Sequence, residues 1–268
     1  MEFQKIGFIG CGNMGSALAT TIQKNDRSIY LSNRTPAKAE ALASKIGAQV
    51  QSNMEIATDC DLIFLGIKPQ MMGDLLQEIS STLNARSTPA VLVTMAAGLT
   101  MQTIQMLAQG NAPIIRIMPN TPVAIGKGMI LYCTQNVSQK ATDEFCSLLS
   151  GAGRLDELPE SLIDAGSAIS GCGPAFVYLF LEALADGGVA CGLPRAKAQA
   201  YAAQTLIGSA ELVLQGEQHP GTLKDAVCSP AGTTIQGVRE LERNGFRSAA
   251  MEAVIAAYDK TCALAKKE

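Results

Sequence analysis

Glycines at positions 10, 12 and 15 stand in Gly7-Phe8-Ile9-Gly10-Cys11-Gly12-Asn13-Met14-Gly15, the spacing GxGxxG. Each glycine has a separate use in gripping a dinucleotide. The first makes a tight turn, the second lets backbone approach a pyrophosphate, and the third lets the following helix rest on the preceding strand. The helix N-terminus then aims unpaired N–H groups and its positive dipole end at the phosphates. A glycine-rich turn without a ligand can share this composition. What favours a nucleotide here is the setting, directly between a strand pattern and a helix pattern.

The end of the second strand selects the nucleotide. A site for NAD calls for Asp or Glu there, to accept from the ribose hydroxyls; this chain has Ser32-Asn33-Arg34-Thr35. A carboxylate would repel a 2′-phosphate, whereas Arg34 can grip one with its planar fork, and Asn33 and Ser32 can donate. The residues therefore read as NADPH-binding, with NADH as the alternative. A plainer role for Arg34 is to cover the helix behind it. Two further strand ends, Gly66-Ile67-Lys68-Pro69-Gln70 and Met95-Ala96-Ala97-Gly98, converge on the same sheet edge, where small residues let backbone approach the ribose and nicotinamide.

Three motifs lie outside this fingerprint. Arg116-Ile117-Met118-Pro119-Asn120-Thr121-Pro122 is a stiff extended segment, and Ser170-Gly171-Cys172-Gly173-Pro174-Ala175-Phe176 opens a long helix with a proline in its first turn. Ser229-Pro230-Ala231-Gly232-Thr233-Thr234 precedes the helical stretch 235–243. Its amides at a helix N-terminus suit a substrate carboxylate, and the hydroxyls of Ser229, Thr233 and Thr234 are neutral donors. On spacing alone an ordinary helix cap accounts for it equally well. The second and third motifs lack Lys, His and Tyr, the usual proton carriers for carbonyl or alcohol chemistry. A hydride acceptor that needs little acid–base help fits better, and a protonated imine is one. The protein would then mainly hold it against the nicotinamide and hydrogen-bond its nitrogen.

These motifs need elements to carry them. With 268 residues the chain is expected to form about two domains, and with 47% hydrophobic and 17% charged residues it is neither disordered nor fibrous. Up to residue 158, β-branched runs (5–9, 28–32, 62–67, 90–95, 114–117, 129–132) alternate with helical stretches such as 13–24 and 36–45, as in a doubly wound parallel sheet. Thr35 is placed to cap the second helix. Residues 159–268 change to Ala-rich helical patterns. Ala202, Ala203, Leu206, Ile207, Ala210, Val213 and Leu214 form one 3.6-period stripe; Met251, Val254, Ile255, Tyr258, Cys262 and Ala265 form another. A helical domain that small lacks core of its own and is expected to complete it against a second copy.

Composition excludes several classes. Net charge is −3, aromatics are 4% and Trp is absent, which argues against a nucleic-acid groove. The apolar runs 62–67 and 175–181 are too short to span a bilayer, so no membrane is expected. Residues 1–5 are charged and lead straight into a strand, with no signal peptide pattern. Eight scattered cysteines without CxxC spacing read as reduced thiols of a cytoplasmic chain, and one histidine leaves no basis for a metal site. Cys11, Cys172 and Cys228 lie in or beside the motifs and read as small buried residues, although oxidation there could block the site. His219, before Pro220-Gly221, reads as turn chemistry.

Taken together, GFIGCGNMG (7–15), IKPQ (67–70), AAG (96–98), RIMPNTP (116–122), SGCGPAF (170–176), LADGGVACGLPR (184–195), EQHPGTLKD (217–225) and CSPAGTTI (228–235) resemble, in this order, the pyrroline-5-carboxylate reductases. The resemblance implies NADPH- or NADH-dependent reduction of L-1-pyrroline-5-carboxylate to L-proline. It also implies a Rossmann-type N-terminal domain followed by an all-α dimerisation domain, with homodimers assembled into larger rings. By resemblance, Thr234 hydrogen-bonds the substrate nitrogen, Gly232 and Thr233 receive the carboxylate, and Glu217 lies near the substrate ring. Ile9, Gly10, Cys11, Gly12, Asn13, Met14, Asn33, Arg34, Asn53, Gly66, Ile67, Lys68, Pro69, Met95, Ala96 and Ala97 match cofactor contacts. Ala231 stands where the family often has glycine, which questions the backbone angles there. Two rivals share the glycine loop. A β-hydroxyacid dehydrogenase requires a catalytic lysine, for which Lys197 and Lys224 lie in the wrong surroundings. A non-catalytic NADPH sensor leaves the last two motifs without a purpose.

Overall fold

The computed structural model describes residues 3–22 and 27–265. Its strands are β1 (Lys5–Ile9), β2 (Ser28–Ser32), β3 (Gln49–Val50), β4 (Leu62–Leu65), β5 (Val91–Thr94), β6 (Ile114–Pro119), β7 (Gly128–Gln135) and β8 (Gly153–Glu157). They form one sheet in the order β3-β2-β1-β4-β5-β6-β7-β8. The first six are parallel, as the sequence pattern leads one to expect; β7 runs antiparallel to β6, and β8 runs parallel to β7.

Helices cover both faces. The central strands β1, β4, β5 and β6 bury nearly all their residues, and period 2 sends alternate side chains to opposite, helix-covered sides. Phe8 and Phe64 point to one face, where their rings stack at 4.4 Å among Leu18, Leu42 and Phe145. These come from α1 (Asn13–Ile22), α2 (Pro36–Ile46) and α6 (Gln139–Leu149). Ile9, Ile63 and Leu65 point to the other face, onto α3 (Asn53–Asp59), α4 (Met72–Asn84), α5 (Met101–Leu107) and α7 (Glu160–Ser170).

The first helix is described to Ile22; Gln23 and Lys24, to which it is expected to run, lie outside the described residues. Thr35 does occupy the N-cap of α2, but its side chain makes no capping bond. Asn33 Nδ2 donates to the Thr35 carbonyl at 3.0 Å, which fixes the turn into α2 without capping its free N–H groups.

The described residues form two compact units, one within 1–171 together with 258–265, the other within 172–257. The second unit holds α8 (Gly173–Ala190), α9 (Arg195–Gln215), α10 (Pro220–Val227), α11 (Thr233–Arg243) and the first part of α12 (Phe246–Ala265). It buries little of its apolar surface. Along the α9 stripe Ala202 is buried, whereas Ile207, Val213 and Leu214 are exposed, as are Met251 and Ile255 on α12; the Ala265 side chain lies outside the description. The helical stretch Glu160–Ala190 is moreover long and apolar enough, by length and composition, to cross a membrane, and only 11% of its most apolar window is buried. The apolar runs counted one at a time miss this, because α7 and α8 follow one another with only Gly171 and Cys172 between them.

Candidate active site

The proposed cofactor contacts sit at the carboxyl edge of the sheet, where ligands bind in open α/β folds. Ile9 ends β1 and residues 10–14 follow it, Asn33 and Arg34 follow β2, Asn53 opens α3 after β3, residues 66–69 follow β4, and residues 95–97 follow β5. Five neighbouring strand ends thus converge.

The three glycines of the loop behave differently from one another. Gly10 has φ +107°, and a Cβ there would lie 2.4 Å from the Gly66 carbonyl oxygen. A Cβ on Gly15 would strike the Gly10 carbonyl, also at 2.4 Å. A Cβ on Gly12 would meet nothing within 4 Å, although Gly12 begins α1 by accepting the Ser16 N–H at 2.9 Å. Gly10 and Gly15 are therefore glycines because protein crowds them, and Gly12 leaves an open cradle at a helix N-terminus. That is the shape a pyrophosphate requires, so the residues fit a dinucleotide.

Hydrogen bonds lock this edge. Gly10 N–H donates to the Ser32 carbonyl at 2.8 Å, and Cys11 N–H to Asn33 Oδ1 at 3.0 Å. Ser32 Oγ donates to Asn53 Oδ1 at 2.6 Å, and Asn53 Nδ2 donates to Glu78 Oε2 at 3.0 Å. Asn33 and Ser32 thus already spend donors on the protein, while Arg34 is exposed. The side chains of Ile9, Cys11 and Ala96 are buried, which leaves their backbone for a ligand, whereas Lys68 and Ala97 are exposed. Burial pushes the Cys11 thiol up to about 11, so it is a packing group and not a nucleophile. Cys172 is exposed, contrary to the expectation that it is buried.

The segment 116–122 has a buried anchor that sequence gave no reason to suspect. Arg116 is 1% exposed, and its guanidinium donates to Asp164 Oδ1 at 2.6 Å and Glu160 Oε1 at 3.3 Å, tying β6 to α7. Asn120 accepts the Met129 N–H and donates to the Ser170 carbonyl, both at 2.9 Å, which holds the end of α7.

In the helical unit the segment 228–234 forms a turn. Gly232 N–H donates to the Ser229 carbonyl at 3.0 Å, and Gly232 is the N-cap of α11, which starts at Thr233. The donors left at this terminus are those of the first helical turn, beginning with Thr233 and Thr234. Ala231 has φ +57°, the left-handed conformation that favours glycine. His219 is the N-cap of α10, its Nδ1 accepting the Gly221 N–H at 3.0 Å, as a turn residue would. Glu217, Ser229, Thr233 and Thr234 are exposed. Among the described residues there is no His/Cys/Asp/Glu cluster able to hold a metal.

Comparison with known proteins gives one consistent answer. Residues 160–264 match the pyrroline-5-carboxylate reductase dimerisation family, and residues 5–98 match the NADP oxidoreductase, coenzyme F420-dependent family. The pyrroline-5-carboxylate reductase of Escherichia coli is 40% identical over 98% of this chain and 99% of its own length. A Plasmodium falciparum pyrroline carboxylate reductase, solved with NADP bound, superposes with TM-score 0.85 at 34% identity, each chain covered to 99%. The Streptococcus pyogenes 1-pyrroline-5-carboxylate reductase gives 0.88 at 31%, covering 97% of this chain and 98% of its own. A relationship of this extent, spanning both the nucleotide edge and the helical segment, makes the chain a member of the pyrroline-5-carboxylate reductase family.

Proposed function

We propose that this chain reduces L-1-pyrroline-5-carboxylate to L-proline, the last step of proline biosynthesis, using NADPH or NADH. The full-length kinship with the Escherichia coli reductase carries the reading, and the open cradle at Gly12 supports it. When bound, the dinucleotide supplies a hydride from its nicotinamide. Residues 1–158 hold it: the loop 9–14 and the α1 terminus at the pyrophosphate, Arg34 at the 2′-phosphate, Asn53 at the ribose side, and 66–69 with 95–97 toward the nicotinamide. Residues 159–268 hold the substrate and the second subunit.

The ring imine is protonated from solvent, which makes its carbon electrophilic. The α11 terminus, through the free amides from Thr233 and Thr234 onward, receives the carboxylate; the Gly232 amide, expected to share in this, is instead held by the Ser229 carbonyl, and Ser229 and Glu217 lie beside the ring. Thr234 Oγ1 accepts the iminium N–H and fixes which carbon faces the hydride. That carbon gains the hydride, the C=N π pair becomes the nitrogen lone pair, and no side chain needs to transfer a proton. This agrees with the absence of Lys, His and Tyr from both substrate motifs.

The apolar faces left exposed on α8, α9 and α12 pack against a second copy, which also accounts for the membrane-like composition of residues 160–190. Dimers joining into a ring and a cytoplasmic location belong to the same reading; the eight free thiols support the latter. Purified protein with NADPH and L-1-pyrroline-5-carboxylate is expected to lose nicotinamide absorbance as proline forms. NADPH binding without turnover would defeat the reading and favour a sensor.

A further inference from the structure

An acid at the end of β2 is the usual way a doubly wound fold receives an NADH ribose. β2 here ends in Ser32-Asn33-Arg34 and has none. The structure returns a carboxylate to that corner from another element. Glu78, on α4, accepts Asn53 Nδ2 at 3.0 Å, and Asn53 Oδ1 accepts the Ser32 hydroxyl at 2.6 Å. The polarity of this relay is set at the Glu78 end. A carboxylate only accepts, so the Asn53 amide must turn its NH2 toward Glu78 and its oxygen toward Ser32. The Ser32 proton is thereby committed to Asn53, and what Ser32 offers outward is lone pairs. Lone pairs suit a ribose hydroxyl, which can donate; they and the Glu78 charge oppose a 2′-phosphate, which only accepts.

We propose that Glu78 is a positioning residue that sets cofactor preference, acting through Asn53 and Ser32 to favour NADH and so offset the preference of Arg34 for NADPH. This rests on the reading of the chain as an NAD(P)H-dependent reductase. Glu78 is exposed, so solvent screens its charge and the effect is modest. A unit charge about 7 Å in water from a phosphate of charge about −1.5 to −2 corresponds to about four- to eightfold in affinity, which screening at about 0.01 M salt lowers to about three- to fivefold.

Glu78→Gln keeps an acceptor for Asn53 and removes the charge, whereas Glu78→Ala removes both. Titration by cofactor fluorescence is expected to show NADPH binding to Glu78→Gln about three- to fivefold more tightly, with NADH Kd unchanged and the gain shrinking at high salt. Glu78→Ala is expected to weaken NADH as well, because Ser32 and Asn53 lose their fixed polarity. In a Ser32→Ala background that NADH loss should vanish, as a double-mutant cycle through the relay requires. Equal changes for both cofactors, or none, would overturn the proposal and leave Glu78 a structural residue. A wild-type chain that binds neither cofactor would instead overturn the reductase reading itself.

Discussion

Replacing Ala231 by glycine should stabilise this protein. Its φ of +57° places an L-residue in the left-handed region, on the turn leading into α11. That conformation costs a non-glycine residue roughly 1–2 kcal/mol. Ala231 is exposed, so removing its methyl group sacrifices little packing. Against the relief stands the greater freedom of glycine in the unfolded chain, about 0.4–1 kcal/mol. The net gain is about 0.5–1 kcal/mol, or about 1–2 °C in Tm for a protein of this size. Urea and thermal unfolding of Ala231→Gly would measure it, with Ala231→Val as counterpart. A β-branched residue at positive φ should lower stability by more than about 1 kcal/mol and weaken substrate binding as the turn distorts. KM of the glycine variant should stay within about twofold, since the backbone angles are retained. A lower midpoint for Ala231→Gly would refute the reasoning, for it would mean that the turn is not held against a strained residue.

The other predictions concern the site and the thiols. Arg34→Ala should weaken NADPH by about tenfold or more, the worth of a charge-assisted hydrogen bond, and leave NADH within about twofold; equal weakening in paired titrations would undo the role given to Arg34. Thr234→Ala should lower kcat by about 10- to 100-fold with NADPH Kd nearly unchanged, and a parallel loss of both would remove Thr234 from the substrate nitrogen. Burial raises the thiols of Cys11 and Cys133 to about 11 and of Cys60 to about 12. Since unfolded thiols titrate near 8.5, the folded state holds the extra protons, so stability is full below that pH and falls as pH climbs toward 11. Denaturation midpoints that stay flat from pH 8 to 10.5 (roughly the window in which only the unfolded thiols ionise) would contradict this. Iodoacetamide on native protein should label the exposed Cys172 and Cys191 before those three, as peptide mass spectrometry would show.

Much of this was legible in the residues, for identifiable reasons. Six of the strands are β-branched apolar runs because a sheet covered on both faces demands them, and the glycine loop is legible because each glycine answers a separate steric demand. Two strands escaped. β3 has only two residues, and β8, Gly153-Arg154-Leu155-Asp156-Glu157, is a half-exposed edge whose charges resemble a loop. Strand direction escaped too, because side-chain alternation is the same in parallel and antiparallel pairs, so nothing in Gly128–Gln135 marks its reversal. Long-range polar pairing is the hardest to foresee. Glu78 meets Asn53 across 25 residues, and Arg116 reaches Asp164 across 48, with no local pattern to announce either.

The central claim is a hydride transfer to a ring imine, and isotope transfer tests it most directly. NADPH deuterated at nicotinamide C4 on the transferring face, supplied with L-1-pyrroline-5-carboxylate and this protein, should yield proline bearing one deuterium on the ring carbon that had been the imine carbon, with Thr234→Ala forming it far more slowly. Unlabelled proline, or NADPH bound and left unconsumed beside the imine, would contradict the account.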